Sequence, residues 1–207
     1  LGAGYLDSGA IYRILTLAVL RAGVDPEDSE AVAEVLGRLE FDLPVDPDMQ
    51  IHHLGAENVT AAIRSPEVTA AVSAVSRHPA VRTRLLGGQQ TMARSGRMVV
   101  EGRDIGTVVV PDADLKIYLT AHADVRARRR FRQTIAGAQA DNDQTEAVSA
   151  VRRDLHRRDT LDSTREHSPL QAAEDAVVID SSEIGVAETV DRVLELAAGR
   201  GIGRVAP

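Results

Sequence analysis

The stretch Gly4-Tyr5-Leu6-Asp7-Ser8-Gly9-Ala10-Ile11-Tyr12-Arg13 decides how the rest of the chain reads. A short apolar run stops at an acid, and a helical pattern starts at once. From Gly9 to Ala22 the residues Ile11, Ile14, Leu15, Ala18 and Val19 form a 3.6-residue stripe, and Gly23 ends it. Three further runs have the character of Gly4-Tyr5-Leu6: Met98-Val99-Val100, Leu115 to Leu119, and Ala176 to Ile179. Acids follow the first, second and fourth runs immediately, as Asp7, Glu101 and Asp180. Helical patterns at Ser29–Leu39, Glu67–Met92 (interrupted at His78-Pro79) and Glu183–Gly199 fill the intervals. Near-continuous apolar strands alternating with helices predict a buried parallel sheet in an α/β fold. Polar residues just past the strand ends then lie where such sheets bind ligands.

Two regions break this rhythm. Glu40 to Val45 alternates, Pro47-Asp48 makes a turn and Met49 to Leu54 follows, which predicts a small antiparallel hairpin on an insertion. Ala121 to Pro169 is polar and holds 10 Arg against 8 acids. Its net charge is +2, so the rest of a chain of net charge −7 carries −9. A helical, arginine-rich segment grafted on an acidic core suggests a local anionic ligand, although solvated helix faces would also account for it. The Gly- and Arg-containing tail from Gly199 to Pro207 is expected to fray.

Composition narrows the classes. The 207 residues suit one domain or a core with inserted lobes, and 43% hydrophobic with 27% charged residues is ordinary for a soluble globular protein. There is no apolar run near the length of a transmembrane helix and no signal-peptide pattern. Cysteine is absent, which excludes disulfides, thiolate metal sites and cysteine nucleophiles and fits a reducing cytoplasm. Acidic charge and 2% aromatics argue against a general nucleic-acid binder. No heptad or long apolar patch asks for a partner, so a monomer is expected. His52, His53, His78, His122, His156 and His167 have no metal-ligand spacing and are expected at the surface.

Three motifs carry chemistry. In Leu6–Arg13, Ser8 can cap the helix, and free N–H groups, a hydroxyl and the Arg13 guanidinium make a phosphate cradle; a Ser-capped turn is the plainer alternative. In Val100-Glu101-Gly102-Arg103-Asp104-Ile105-Gly106-Thr107, glycines permit close backbone approach. Arg103 can hold phosphate, and Asp104 can accept from an exocyclic amine or sit near a metal; a structural Arg–Asp pair reads equally well. Arg126–Arg130 and Arg152–Arg165 form the third, where Arg158, Asp162 and Arg165 share one helix face, as binding groups or as an exposed ion-pair ladder.

Taken together, LDSGAIYR, VEGRDIGTVV-x-PDA, RARRR and RRD-x-x-DSTR-x-x-SPL resemble the bacterial cytidylate kinases, in order from Tyr5 to about Leu196. The resemblance implies a P-loop NTPase-like α/β fold, a parallel sheet flanked by helices with an inserted monophosphate-binding lobe and a helical lid. Residues 1–35, 86–120 and 169–207 would form the core, 36–85 the lobe and 121–168 the lid. Ser8, Arg13 and Arg103 would hold the CMP phosphate. Ser73, Arg82 and Asp104 would read cytosine, Asp104 accepting from the amino group that uracil lacks. Arg158 and Asp162 would bind the ribose hydroxyls, and Arg165 would reach between sugar and phosphate. Arg126, Arg130 and Arg157 belong with a lid that closes over ATP, and Arg13, Arg103, Arg130 and Arg158 would surround the transferring phosphoryl group. CMP and dCMP are the implied acceptors, ATP the donor, and Mg²⁺ its companion.

The chain departs from that family in one respect. No glycine-rich loop ending in G-K-[ST] occurs, and the single lysine, Lys116, lies in a strand-like run. The family's first strand, which precedes that loop, lies mid-sheet, so roughly 25–30 residues are expected to precede Leu1 natively. The competing expectations are a CMP-binding protein without turnover, a kinase for UMP or AMP, and an RNA-binding module built on residues 126–165.

Overall fold

A computed structural model describes residues 1–135, 144–164 and 168–203. It is an α/β fold with two parallel strand pairs. Strand β1 (Gly4–Asp7) pairs with β5 (Met98–Glu101), Asp7 opposite Glu101. Strand β6 (Ile117–Thr120) pairs with β7 (Val177–Asp180), Thr120 opposite Asp180. The two ladders are separate. Each parallel pair needs a long crossover. Helices α1 (Ser8–Arg21), α2 (Ser29–Gly37), α3 (Pro66–Arg77) and α4 (Pro79–Ala93) fill the first, and α5 (Ala123–Ile135) and α6 (Gln144–Thr164) the second. Helix α7 (Val186–Gly199) closes the chain.

The expectation of strands buried on both faces holds on one face only. Val99, Leu119 and Val178 are 46%, 58% and 59% exposed, while Leu6 and Ile179 are buried.

The first helix organises the core because it is apolar on two sides. Ile11, Tyr12, Leu15 and Val19 pack with Val32, Leu36, Val72, Val75, Val81 and Leu85. Ala10, Ile14 and Leu17 pack with Val59, Ile63 and Val68. Gly23 at φ +68° lets the helix stop, with Gly23 N–H on the Leu20 carbonyl and Val24 N–H on that of Val19. At its start the cap is Asp7, whose carboxylate accepts from Ala10 N–H at 3.1 Å. Ser8, expected as the cap, is instead the first helical residue. A carboxylate one residue earlier reaches the free amide, which releases the hydroxyl for another partner.

The break at His78-Pro79 separates α3 from α4, as the proline requires. The expected hairpin is present and gains a third strand. Strand β2 (Phe41–Asp42) pairs antiparallel with β3 (His53–Leu54), and β3 with β4 (Glu57–Asn58). Phe41 opposite Leu54 and Asp42 opposite His53 centre the first pairing on the Pro47-Asp48 turn in the loop 43–52. A second, tight turn at Gly55, φ +58°, joins β3 to β4. Val45 in that loop accepts from Tyr5 N–H at 2.8 Å, tying it to the edge of β1.

The histidines also differ from expectation, since His52 and His78 are buried. The His78 ring reaches the Pro26 carbonyl at 2.8 Å. His167 lies outside the described residues.

Candidate active site

Asp7 and Glu101 stand side by side at the C-terminal ends of β1 and β5, and the chain after each turns directly into site residues. Ser8 Oγ donates to the Glu101 carbonyl at 2.7 Å, locking the start of α1 to the Gly102-Arg103-Asp104 turn. A Cβ on Gly102 would lie 2.3 Å from that Oγ, so only glycine permits the contact. After Asp104 the chain makes one widened helical turn, Ile105–Val109, closed by Val110 N–H on the Ile105 carbonyl. At Gly106 a Cβ would lie 3.1 Å from the Lys116 stem, so the glycine lets that side chain pack close against the turn. Lys116 Nζ is committed to Asp175 at 2.8 Å, so the single lysine braces this turn.

Arg13 is buried one turn into α1. Its guanidinium donates to the Ile63 carbonyl at 3.0 Å and to Thr69 Oγ1 at 3.1 Å. Burial, with Arg158, Arg64 and Arg130 nearby, lowers its pKa to about 10. It is still a cation at neutral pH, held in a field that favours an anion. Arg64, which follows the short turn at Ala62, pairs with Asp7 at 3.0 Å.

Arg82 and Asp104, two of the three expected base readers, form a buried ion pair. The other side of the Arg82 guanidinium donates to the Ser76 carbonyl at 3.2 Å, and its carbon lies 5.6 Å from the centre of the Tyr12 ring. Asp104 is therefore not an unpartnered carboxylate: Arg82 already fixes one of its oxygens.

The arginine-rich helical pair brings the remaining cations. Arg103 Nη1 lies 3.1 Å from Asp159 Oδ1, and its Nε 3.4 Å from Asp162 Oδ2. Arg126 of α5 reaches the other oxygen of Asp159 at 2.6 Å. Arg158 lies 3.8 Å from Asp162, and burial with Arg103 nearby lowers its pKa. Arg129, from the same basic run, serves the fold: it donates to Ser181 Oγ and to the Ser181 and Ile184 carbonyls.

A cleft of about 1050 Å³ opens between α3 and the α5–α6 pair. Ser73, Arg130, Arg157, Arg158 and Asp162 line it together with Arg64 and Thr69. Ser8, Arg13, Arg82, Arg103, Asp104 and Arg126 lie outside that lining, and Arg165 lies outside the described residues. Sequence reasoning missed Asp159, Arg64, Thr69 and the Tyr12 ring. Asp159 had a signal, being three residues before Asp162 on the same helix. Arg64 and Thr69 had none, because only the folding of α3 against α1 brings them to Arg13.

Among the described residues no three His, Asp or Glu side chains gather into a metal-binding group. Asp7 and Glu101, the two acids at the strand ends, are engaged by Arg64 and by the Tyr5 hydroxyl at 2.6 Å. These residues do not make a protein-built cage for Mg²⁺.

Parallel strands whose C-terminal ends carry a helix start, with converging arginines over a deep cleft, define a P-loop NTPase-like nucleoside monophosphate kinase. The cytidylate kinase family model matches residues 1–199. The cytidylate kinase of Mycolicibacterium paratuberculosis is 53% identical over 201 residues, spanning 97% of this chain and 86% of that protein. That of Rhodococcus opacus is 50% identical over 206 residues, 99% and 88% of the two. The Corynebacterium glutamicum cytidylate kinase is 47% identical over 198 residues, 95% and 84%. The chain belongs to the cytidylate kinase family.

Proposed function

We propose that the protein transfers the γ-phosphoryl group of ATP to CMP and dCMP, giving ADP with CDP or dCDP. The observation that carries this reading is the set of arginines from separate elements, Arg13, Arg103, Arg130 and Arg158, close enough to feel one another's charge, with Arg103 and Arg158 sharing Asp162. Phosphoryl transfer asks a protein mainly for in-line placement and for positive charge around the equatorial oxygens. In this reading Ser8, Arg13 and Arg103 hold the acceptor phosphate, and Arg158 with Asp162 holds the ribose. Arg165 completes the sugar and phosphate contacts. Ser73, Arg82 and Asp104 read the cytosine edge. The segment 36–85 is the monophosphate-binding lobe. The segment 121–168 is a lid that brings Arg126, Arg130 and Arg157 over ATP and excludes water, the competing acceptor. Mg²⁺ bound to the donor phosphates would supply neutralising charge there, with no cage of protein carboxylates among the described residues to hold it. No helix among the described residues is long and apolar enough to cross a membrane, and we place the reaction in the cytoplasm, carried out by a monomer.

Phosphorus NMR of the natively expressed protein with ATP, Mg²⁺ and CMP, and with UMP in a parallel sample, tests the reading. CDP and ADP resonances, with UMP turned over far more slowly, are expected. Bound CMP without turnover would make the protein a binder only, and absence of both would overturn the reading.

A further inference from the structure

Asp159, which the sequence motifs did not single out, ties the end of β5 to α5. One carboxylate oxygen accepts from Arg103, which leaves the end of β5; the other accepts from Arg126 on α5. Arg103 also lies against Asp162, one turn further along α6. The carboxylate is only 22% exposed. Burial works to raise its pKa, but Arg126 and Arg103 outweigh burial and hold it below the ordinary carboxylate range. Asp159 is thus an anion throughout the neutral range.

Two guanidiniums pointed at one carboxylate use the same forked donors that a phosphate would take. Asp159 and a bound phosphate therefore compete for Arg103 and Arg126. The competition also couples the two arginines: whatever draws Arg103 away leaves the carboxylate to Arg126 alone, and the reverse.

We propose that Asp159 is a positioning residue that stands in for phosphate, holding Arg103 and Arg126 together in the empty site and releasing them to the acceptor and donor phosphates, so that acceptor binding and lid closure are linked. This rests on the phosphoryl-transfer reading above.

The sign of the expected effect separates this role from a structural one. In Asp159→Asn the competing charge is gone and the shape is kept. CMP alone should then bind about fivefold more tightly, the scale of one partly exposed ion pair. At the same time kcat should fall by at least about tenfold, because Arg126 is no longer held in place. Asp159→Glu, which keeps the charge, should return the CMP affinity to that of wild type. Arg126→Gln leaves Asp159 wholly to Arg103 and should weaken CMP binding. Calorimetric titration of CMP into wild type and the three variants, each checked for an intact thermal transition, is the experiment. CMP bound by Asp159→Asn no more tightly than by wild type would overturn the proposal while leaving the kinase reading in place. Should Asp159→Asn not fold, Arg126→Gln decides, and unchanged or tighter CMP binding there would overturn it. A wild-type protein that binds no CMP would overturn the kinase reading and this one together.

Discussion

At the scale of single residues, the proposed base discrimination rests on the buried Arg82–Asp104 pair. The carboxylate is held on one side by Arg82, itself fixed by the Ser76 carbonyl and the Tyr12 ring face, so its remaining oxygen is aimed without choice of rotamer. Asp104→Asn keeps the size but presents an amide that can turn its donor toward the base. The CMP-to-UMP ratio of kcat/KM should fall about a hundredfold, measured with both acceptors at saturating ATP. Arg82→Met is a different experiment, because it strands a buried carboxylate. It should cost about 3 kcal/mol of stability in urea unfolding, beyond any effect on turnover. Both residues could be picked out from the sequence, as a Gly-flanked Arg-Asp motif and a resemblance. Their pairing could not, since 22 positions, with the rest of α4 and all of β5, separate them. Asp7 shows the opposite limit: Ser8 and Asp7 are both good helix caps, and only the geometry of the strand end decides which one turns its oxygen to the free amide.

At the scale of elements, the lobe formed by β2, β3 and β4 carries a buried histidine beside the site. His52 is 1% exposed, its backbone N–H donates to Thr60 Oγ1 at 2.9 Å, and neither ring nitrogen has a hydrogen-bond partner among the described residues. Burial is the main reason its pKa lies below 6.5; Arg64 and His53 act the same way and Asp7 opposes them. A depressed histidine is neutral in the fold and takes up a proton more readily when unfolded. Its contribution is therefore present above pH 6.5 and is lost as pH falls below that value toward the folded pKa. Wild type should lose thermal stability between pH 7.5 and 5.5, and His52→Phe should flatten that slope, as scanning calorimetry at the two pH values would show. The helices of the core were largely legible because a repeating stripe and a terminator such as Gly23 are local signals. In the lobe the β2–β3 pairing about Pro47-Asp48 was legible, but β4 was not, because a two-residue strand after the Gly55 turn leaves no alternating pattern to read.

At the scale of the whole molecule, the charge is uneven. A body of net charge −7 repels anions at long range, while in the proposed function the Arg13, Arg103, Arg130 and Arg158 cluster would draw nucleotides in at short range. Added salt screens both, but the partly buried cluster acts at contact and the outer charge beyond the Debye length. Between 0.05 and 0.3 M NaCl the KM for CMP should change about threefold or less, whereas a site of exposed arginines would weaken far more; initial rates across that range would show it. The separate parallel ladders, with Val99, Leu119 and Val178 open on one face, set the frame that holds both halves of the cluster.

The scarcity of aromatic residues has an optical consequence. With no tryptophan, near-ultraviolet emission comes from three tyrosines, and two of them stand at the chemistry: Tyr5 donates to Glu101, and Tyr12 lies beneath Arg82. A phenol hydrogen-bonded to a carboxylate is quenched, and a ring under a guanidinium is sensitive to that cation's movement. Unlabelled protein therefore carries a fluorescent gauge at the strand ends, able to time nucleotide arrival in a stopped-flow mixer without dye or engineered probe.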